Sequence, residues 1–270
     1  MRRVQPMTTQ IRSAARALRD GHLVAFPTET VFGLGADASD SLAVSRIFAT
    51  KGRPKTHPLI LHVSGLDVVA ELAADVPEFA LSLGRAFWPG PLTLVLPRSS
   101  AVSDDVTGGQ STVGIRVPRH EVALDLLRAF EDMGGLGVAA PSANRFGRVS
   151  PTTAEAVREE LADALGTHDV VLDGEPSDVG IESTIVDCTG SAPSILRPGS
   201  VTAKMIEQTT GLTLGPAATG IRASGSFASH YAPVAAVHLD TVAHPGEGLI
   251  ALAVHETPQG VIRLAAPQTV

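Results

Sequence analysis

A chain of 270 residues, 44% hydrophobic and 18% charged, can bury a full core, which excludes intrinsic disorder over most of its length. Its 21 basic and 28 acidic residues give a formal charge of −7, which argues against a surface built for non-specific nucleic-acid binding. One cysteine, Cys188, excludes an internal disulfide and a multi-cysteine zinc site, and no run of about 18 apolar residues suits a membrane-spanning helix.

Residues 1–6 lead into no apolar stretch of signal-peptide length, so a reducing, cytoplasmic setting is expected. Ile11, Ala14, Ala15 and Leu18 recur at helical spacing and predict a helix over 10–20. Residues 23–26 read as a short buried strand stopped by Pro27. A helix over 41–50 is ended by Gly52, and 59–63 is a strand. Residues 66–87 are helical with a break at Pro77, and Pro89-Gly90-Pro91 stops the chain before a strand over 92–96. Residues 99–111 form a loop, 113–117 an alternating strand, 122–133 a helix and 136–140 a strand. Thr152 and Glu155 make a capping box for a helix up to Leu165. Short strands over 170–172, 184–186 and 195–196 and a helix over 202–210 follow. Helices and strands mix without strict alternation, which predicts a layered α/β domain with a mixed sheet over 1–210. Residues 211–233, rich in Gly, Ala, Ser and Pro, read as a linker. The remaining 234–270, with strands over 234–239 and 249–254, is too short for an independent core.

The basic residues cluster in acid-free segments. Arg46, Lys51, Arg53 and Lys55 fall between Asp40 and Asp67, Arg85 and Arg98 between Glu78 and Asp104, and Arg145 and Arg148 between Asp132 and Glu155. Brought together by the fold, they would line one positive pocket for a compact anion such as a phosphate or carboxylate. P-loop, dinucleotide, serine-hydrolase and zinc-protease signatures are absent.

Other segments suit the same pocket. Residues 27–35, Pro-Thr-Glu-Thr-Val-Phe-Gly-Leu-Gly, are either a strand-to-helix turn or a ligand loop whose glycines admit a close approach. Residues 51–58 pack Lys51, Arg53, Lys55 and His57 between Gly52, Pro54 and Pro58, as a solvated loop or a phosphate clamp. His62 follows in an apolar strand. In the strand around 112–117 a period of two sends Val113, Ile115 and Val117 to the core, and Thr112, Gly114 and Arg116 to the opposite face. Arg116 there calls for an anionic partner, with a carboxylate the natural one. Ser142 and Asn144 end a strand, and Ser150 precedes a helix N-terminus. Glu182-Ser183-Thr184 opens a strand, Arg197-Pro198-Gly199 closes one, and Tyr231, the only tyrosine, stands in the linker.

Taken in order, 27–35, 51–62, Trp88 to Thr93, 112–118, 141–144, 180–187 and 196–199 resemble the threonylcarbamoyl-AMP synthase family, the YrdC-domain proteins. His230-Tyr231-Ala232-Pro233 resembles the linker of its longer, two-domain subtype. The resemblance implies a three-layer α/β domain with a twisted mixed sheet and a positive cavity, plus a small C-terminal α/β piece. It implies an enzyme that joins L-threonine, bicarbonate and ATP into threonylcarbamoyl-AMP and releases pyrophosphate. Magnesium would ride on the ATP phosphates, with no protein metal site. The product would pass to the tRNA threonylcarbamoyl-transfer machinery. Thr30, His62, Arg116, Ser183 and the backbone of Ala140 would hold threonine. Arg53, His57, Thr112, Ser142, Ser150, Arg197 and Tyr231 would hold ATP. Lys51, Arg53, Ser142 and Asn144 match the family's basic-and-polar tetrad and are the expected catalytic groups. Phe32 stands where the family often has tyrosine, and the C-terminal piece is expected to be a shortened second domain. The alternatives are an RNA-binding module of the same fold, and a related carbamoyl-transfer enzyme with another acceptor. Weak RNA binding is compatible with either enzyme reading, and no membrane partner is expected.

Overall fold

Nine strands hydrogen-bond into one mixed sheet in the computed structural model, which describes residues 4–216, 220–225 and 235–265. In chain order the first unit, Met1–Ala232, runs α1 (Val4–Arg19), β1 (Val24–Phe26), β2 (Gly33–Asp37), α2 (Ser41–Lys51), β3 (Ile60–His62), α3 (Val69–Leu72), α4 (Glu78–Phe87) and β4 (Leu92–Pro97). It continues with α5 (Asp104–Thr107), β5 (Thr112–Arg116), α6 (Glu121–Glu131), β6 (Val138–Ala140), α7 (Ala154–Leu161), β7 (Val170–Val171), β8 (Thr184–Asp187), β9 (Ser194–Arg197) and α8 (Ala203–Thr210). The strand order is β7-β1-β2-β6-β3-β5-β4-β8-β9. The pairs β1–β7, β3–β5 and β4–β8 are parallel, and the others are antiparallel.

Helices cover the two faces unequally. Ile47 and Phe48 of α2, Leu72 of α3, Leu83 of α4, Val157 of α7 and Ile206 of α8 join Leu61, Leu94 and Ile115 in the main core. On the opposite face, Leu18 of α1 and Leu126 and Phe130 of α6 pack on Val24, Phe26, Val138 and Ala140. That cover reaches only the β1 and β6 end. Beyond it the same face carries a small cluster of Val95, Ile185 and Ala223. The cleft described below opens at this step.

Local chemistry sets the ends of α2. Asp40 caps its N-terminus by accepting from the Leu42 and Ala43 amides. Gly52, at φ 63°, turns the chain out in a left-handed conformation, so Lys51 and Arg53 leave the helix end in different directions. The expected helix over 66–87 is shorter than predicted: α3 ends at Leu72, where Ala73 turns extended and bridges to Arg98, and α4 starts only after Pro77.

Four other expectations need correction. Residues 33–37 form a strand, so 27–32 connects an antiparallel pair and is not a strand-to-helix turn. A Cβ on Gly35 would lie 2.6 Å from Val138 Cγ1, so the close fit under its neighbours overrides glycine's poor strand propensity. The cap of α7 is Thr153, whose hydroxyl accepts from the Ala156 amide, one residue beyond the predicted Thr152. Within the predicted loop 99–111, residues Asp104–Thr107 make a helical turn. In the second unit, Pro233–Val270, residues 235–239 form no strand, and β10 (Gly248–Ile250) pairs in parallel with β11 (Ile262–Ala265).

Candidate active site

Strand register alone assembles one wall. His62 pairs with Arg116 and with Val138, and Ile60 pairs with Gly114 and Ala140. Gly114 pairs with Val95, Thr93 with Ile185, and Ile185 with Arg197. Partners across a ladder share a face. His62, Arg116, Ile60, Gly114, Thr93, Ile185 and Arg197 therefore all project to the side opposite the main core. The predicted split of β5 is observed: Val113, Ile115 and Val117 are buried in the main core, while a Cβ on Gly114 would meet Thr93 and Ile60.

The cleft on this wall is lined by Thr28, Thr30, Arg53, His62, Arg116, Ala140, Ser142, Glu182, Ser183, Arg197 and Ser224, among others. Three arginines line it, and all three are buried. Glu182 is the one acid among the lining residues. The expectation that the acid-free segments supply this pocket needs correction: of their eight named cations only Arg53 lines the cleft, and Arg116 and Arg197 come from other segments. Arg46, Arg85, Arg98 and Arg145 instead pair outside the cleft with Asp169, Glu78, Asp104 and Asp163. Arg148 and Lys55 are exposed.

Arg116 is 4% exposed. Its Nη2 donates to Thr30 Oγ1 at 2.8 Å and lies 2.9 Å from Glu29 Oε1. Its Nε–H, also buried, meets no partner. Thr30's hydroxyl is already committed. Thr28 Oγ1 donates to the Val31 carbonyl at 2.6 Å, so across the 2.9 Å Thr28–Thr30 contact Thr30 must be the donor. His62 Nδ1 lies 3.2 Å from the Ile60 carbonyl, which can only accept, and its ring stands edge-on to Phe26. Burial, and then the neighbouring Arg116 charge, lower its pKa from 6.5 to about 3. The imidazole is therefore neutral at neutral pH.

Arg197 donates from Nε and Nη2 to the Ser183 carbonyl, and from Nη2 to Ser183 Oγ at 3.1 Å. Ser183 Oγ also contacts Thr93 Oγ1 at 2.8 Å. Arg197 Nη1 donates to the Ser224 carbonyl at 2.8 Å, and Arg53 Nη2 donates to Ser224 Oγ at 3.2 Å and to the Pro58 carbonyl at 3.0 Å. Ser224 thus bridges two cleft arginines. Gln110 holds this segment by its amide, accepting from the Arg222 N–H at 2.6 Å and donating to the Arg222 carbonyl at 3.1 Å. Residues 220–225, read from sequence as linker, pack within the first unit.

The predicted tetrad divides. Arg53 and Ser142 face the cleft, whereas Lys51 and Asn144 stand behind its wall. Lys51 is 3% exposed, and its Nζ donates to the carbonyls of Ser142 (2.6 Å) and Asn144. Burial, then repulsion by Arg53, push its pKa well down. Asn144 Nδ2 donates to the Arg145 and Arg148 carbonyls, and its Oδ1 accepts from Ser142. Ser150 Oγ gives its one proton to Glu182 Oε1 at 2.6 Å, so it is tied to the cleft through that acid. Thr112 lines an adjoining hollow beneath Arg222–Ser224. His57 lies against Phe146 outside the cleft, the two rings tilted by 59°, with its pKa lowered by burial and then by Arg53 and Arg222. Ala140 lines the cleft at the end of β6. Tyr231 lies outside the described residues.

Thr28, Glu29, Thr93, Glu182 and Ser224 contribute although none was among the expected site residues. Thr93 was legible, since it alternates with the core residues Leu92 and Leu94. Glu29 carried a weaker signal, as the only Asp, Glu, Lys or Arg between Asp20 and Asp37. Ser224, in a Gly/Ala/Ser stretch, carried none.

A family profile described as "Telomere recombination", joining the Sua5, YciO and YrdC proteins, matches residues 16–199. The chain belongs to this family. Among its relatives, threonylcarbamoyl-AMP synthase of Pyrococcus abyssi is 46% identical over 234 residues, covering 84% of this chain and 67% of the relative. Threonylcarbamoyl-AMP synthase of Bacillus subtilis is 45% identical over 203 residues, covering 75% of this chain and 57% of the relative. The solved structure of P. abyssi Sua5 complexed with L-threonine superposes with a TM-score of 0.76 at 44% identity, over 84% of this chain and 66% of that one. The chain thus spans about three-fifths to two-thirds of the length of these family members.

Proposed function

We propose that the chain is an L-threonylcarbamoyladenylate synthase. It would make threonylcarbamoyl-AMP and pyrophosphate from L-threonine, bicarbonate and ATP, for transfer to tRNA. Arg116 carries the reading: a buried guanidinium beside a neutral imidazole, with an unpartnered N–H in a cleft that also holds Arg53 and Arg197. That arrangement suits a substrate with a carboxylate at one end and phosphates at the other. The relatives named above support the same reading.

In this mechanism the threonine carboxylate takes the Arg116 Nε–H. The threonine amine adds to bicarbonate, forming a C–N bond and releasing water, to give a carbamate. A carbamate oxygen then attacks the α-phosphorus of ATP, and the α–β bridging P–O bond breaks to release pyrophosphate. The chain's own contribution is position and charge. Arg53 and Arg197 would meet the phosphates, and Ser142 would be held in place from behind by Lys51 and Asn144. ATP would bring magnesium on its own phosphates, where the metal screens their charge.

Ser224 already accepts from Arg53 through its hydroxyl and from Arg197 through its carbonyl, so ATP phosphates reaching these two arginines would replace it. The test is pyrophosphate release by the purified chain with ATP, magnesium and bicarbonate, with and without L-threonine. Threonine-dependent release is expected. Threonine-independent hydrolysis, or none from folded protein, would overturn the reading.

A further inference from the structure

The mechanism above leaves one buried carboxylate unused. Glu29 is 2% exposed and sits in the connection between β1 and β2. Burying a carboxylate is costly unless it is paired, and each part of Glu29 has a partner. Its Oε2 accepts the Arg119 backbone N–H at 2.9 Å, and its backbone carbonyl accepts from the Val179 amide at 2.9 Å. Ser177 Oγ donates to the adjacent Thr28 carbonyl at 2.9 Å. Its Oε1 lies 2.9 Å from Arg116 Nη2, a charge contact off the line of a straight hydrogen bond.

Two fixed acceptors therefore hold the same nitrogen of Arg116. Thr30 Oγ1 takes the straight bond, and Glu29 Oε1 supplies the charge. Neither acceptor can follow Arg116 if it turns. Thr30's proton is committed to Thr28, and the carboxylate of Glu29 is pinned by the backbone of Arg119. With Nη2 held, the rigid guanidinium plane leaves the buried Nε–H without a partner.

We propose that Glu29 is a positioning residue for carboxylate recognition: it holds Arg116 by one nitrogen so that the Nε–H edge is reserved for the substrate carboxylate. This rests on the reading of threonine as the substrate. Glu29 touches no reacting atom, and its effect is confined to the carboxylate end of the ligand. A glutamine at this position replaces one of these two oxygens by an NH2, which sets a donor against either the Arg119 N–H or Arg116 Nη2, and it removes the charge.

The experiment compares two ligands across variants of the full 270-residue chain. L-Threonine and L-threoninamide, which lacks the carboxylate charge, are titrated calorimetrically into wild type, Glu29→Gln and Glu29→Asp, with ATP binding measured alongside. Wild type should prefer threonine by at least tenfold. In Glu29→Gln that preference should fall about tenfold, because threonine weakens while threoninamide and ATP do not. Glu29→Asp keeps the charge on a shorter arm and should fall in between. It carries the comparison alone if Glu29→Gln fails to fold. General loosening of the site would weaken both ligands together and leave their ratio unchanged, and that result overturns the positioning role. A wild type that binds neither ligand, or does not distinguish them, overturns the threonine reading itself.

Discussion

Replacing His62 by glutamine should flatten the acid side of the stability profile. In the fold His62 is buried beside Arg116, and its pKa is lowered from 6.5 to about 3. Between those values the unfolded chain binds a proton at this site and the folded chain does not. Stability therefore rises with pH across that window, is fully present above 6.5, and is lost as pH falls. At pH 5 the unfolded state gains from 1.5 units of protonation at about 1.4 kcal/mol each, or about 2 kcal/mol. Other groups titrate in the same range, so the quantity to read is a difference of differences. Urea unfolding of wild type and His62→Gln at pH 7.5 and pH 5 gives four free energies. Wild type should lose about 2 kcal/mol more than the variant on going to pH 5. Equal losses would mean that His62 protonates as easily in the folded chain as in the unfolded one, and would refute its burial against Arg116. The same argument makes the threonine-dependent reaction free of any His62 inflection between pH 6 and 8.

Arg53→Ala should lower threonine-dependent pyrophosphate release by roughly 10²–10³ through loss of one preorganised cation at the phosphates; turnover within threefold of wild type would remove Arg53 from that role. Lys51→Ala strips a donor from the buried carbonyls of Ser142 and Asn144. It should cost about 2 kcal/mol of stability as well as activity, as measured by urea unfolding; an unchanged midpoint would show that no brace was lost. Cys188 is buried, with its thiol pKa raised by burial and then by Asp187. It should resist alkylation at neutral pH in the native chain and react once urea unfolds it, and rapid native labelling would contradict its burial.

Much of the site could be read from local pattern, because backbone geometry imposes it. The alternation in β5 put Arg116 opposite Val113 and Ile115 whatever the rest of the fold did. Gly52 after a helical run marked the turn that releases Arg53. The pieces of β3, β4, β8 and β9 were likewise visible as short apolar runs between breakers. Their order across the sheet was not, since register depends on partners far along the chain.

Tertiary structure decided how the charges are used. Arg46, Arg85, Arg98 and Arg145 look like Arg53 in sequence, yet each finds an acid outside the cleft, and the three cleft arginines come from separate segments. Lys51 and Asn144 share a motif with Arg53 and Ser142 but face away from the cleft, because Lys51 Nζ is held by two backbone carbonyls. Glu29 and Arg116 meet across 87 positions of chain, and Ser224 reaches Arg53 from farther still. Periodicity assigns a side chain to a face of its own element. Which buried charge it meets there is settled by packing, since an unpaired charge cannot remain in the interior.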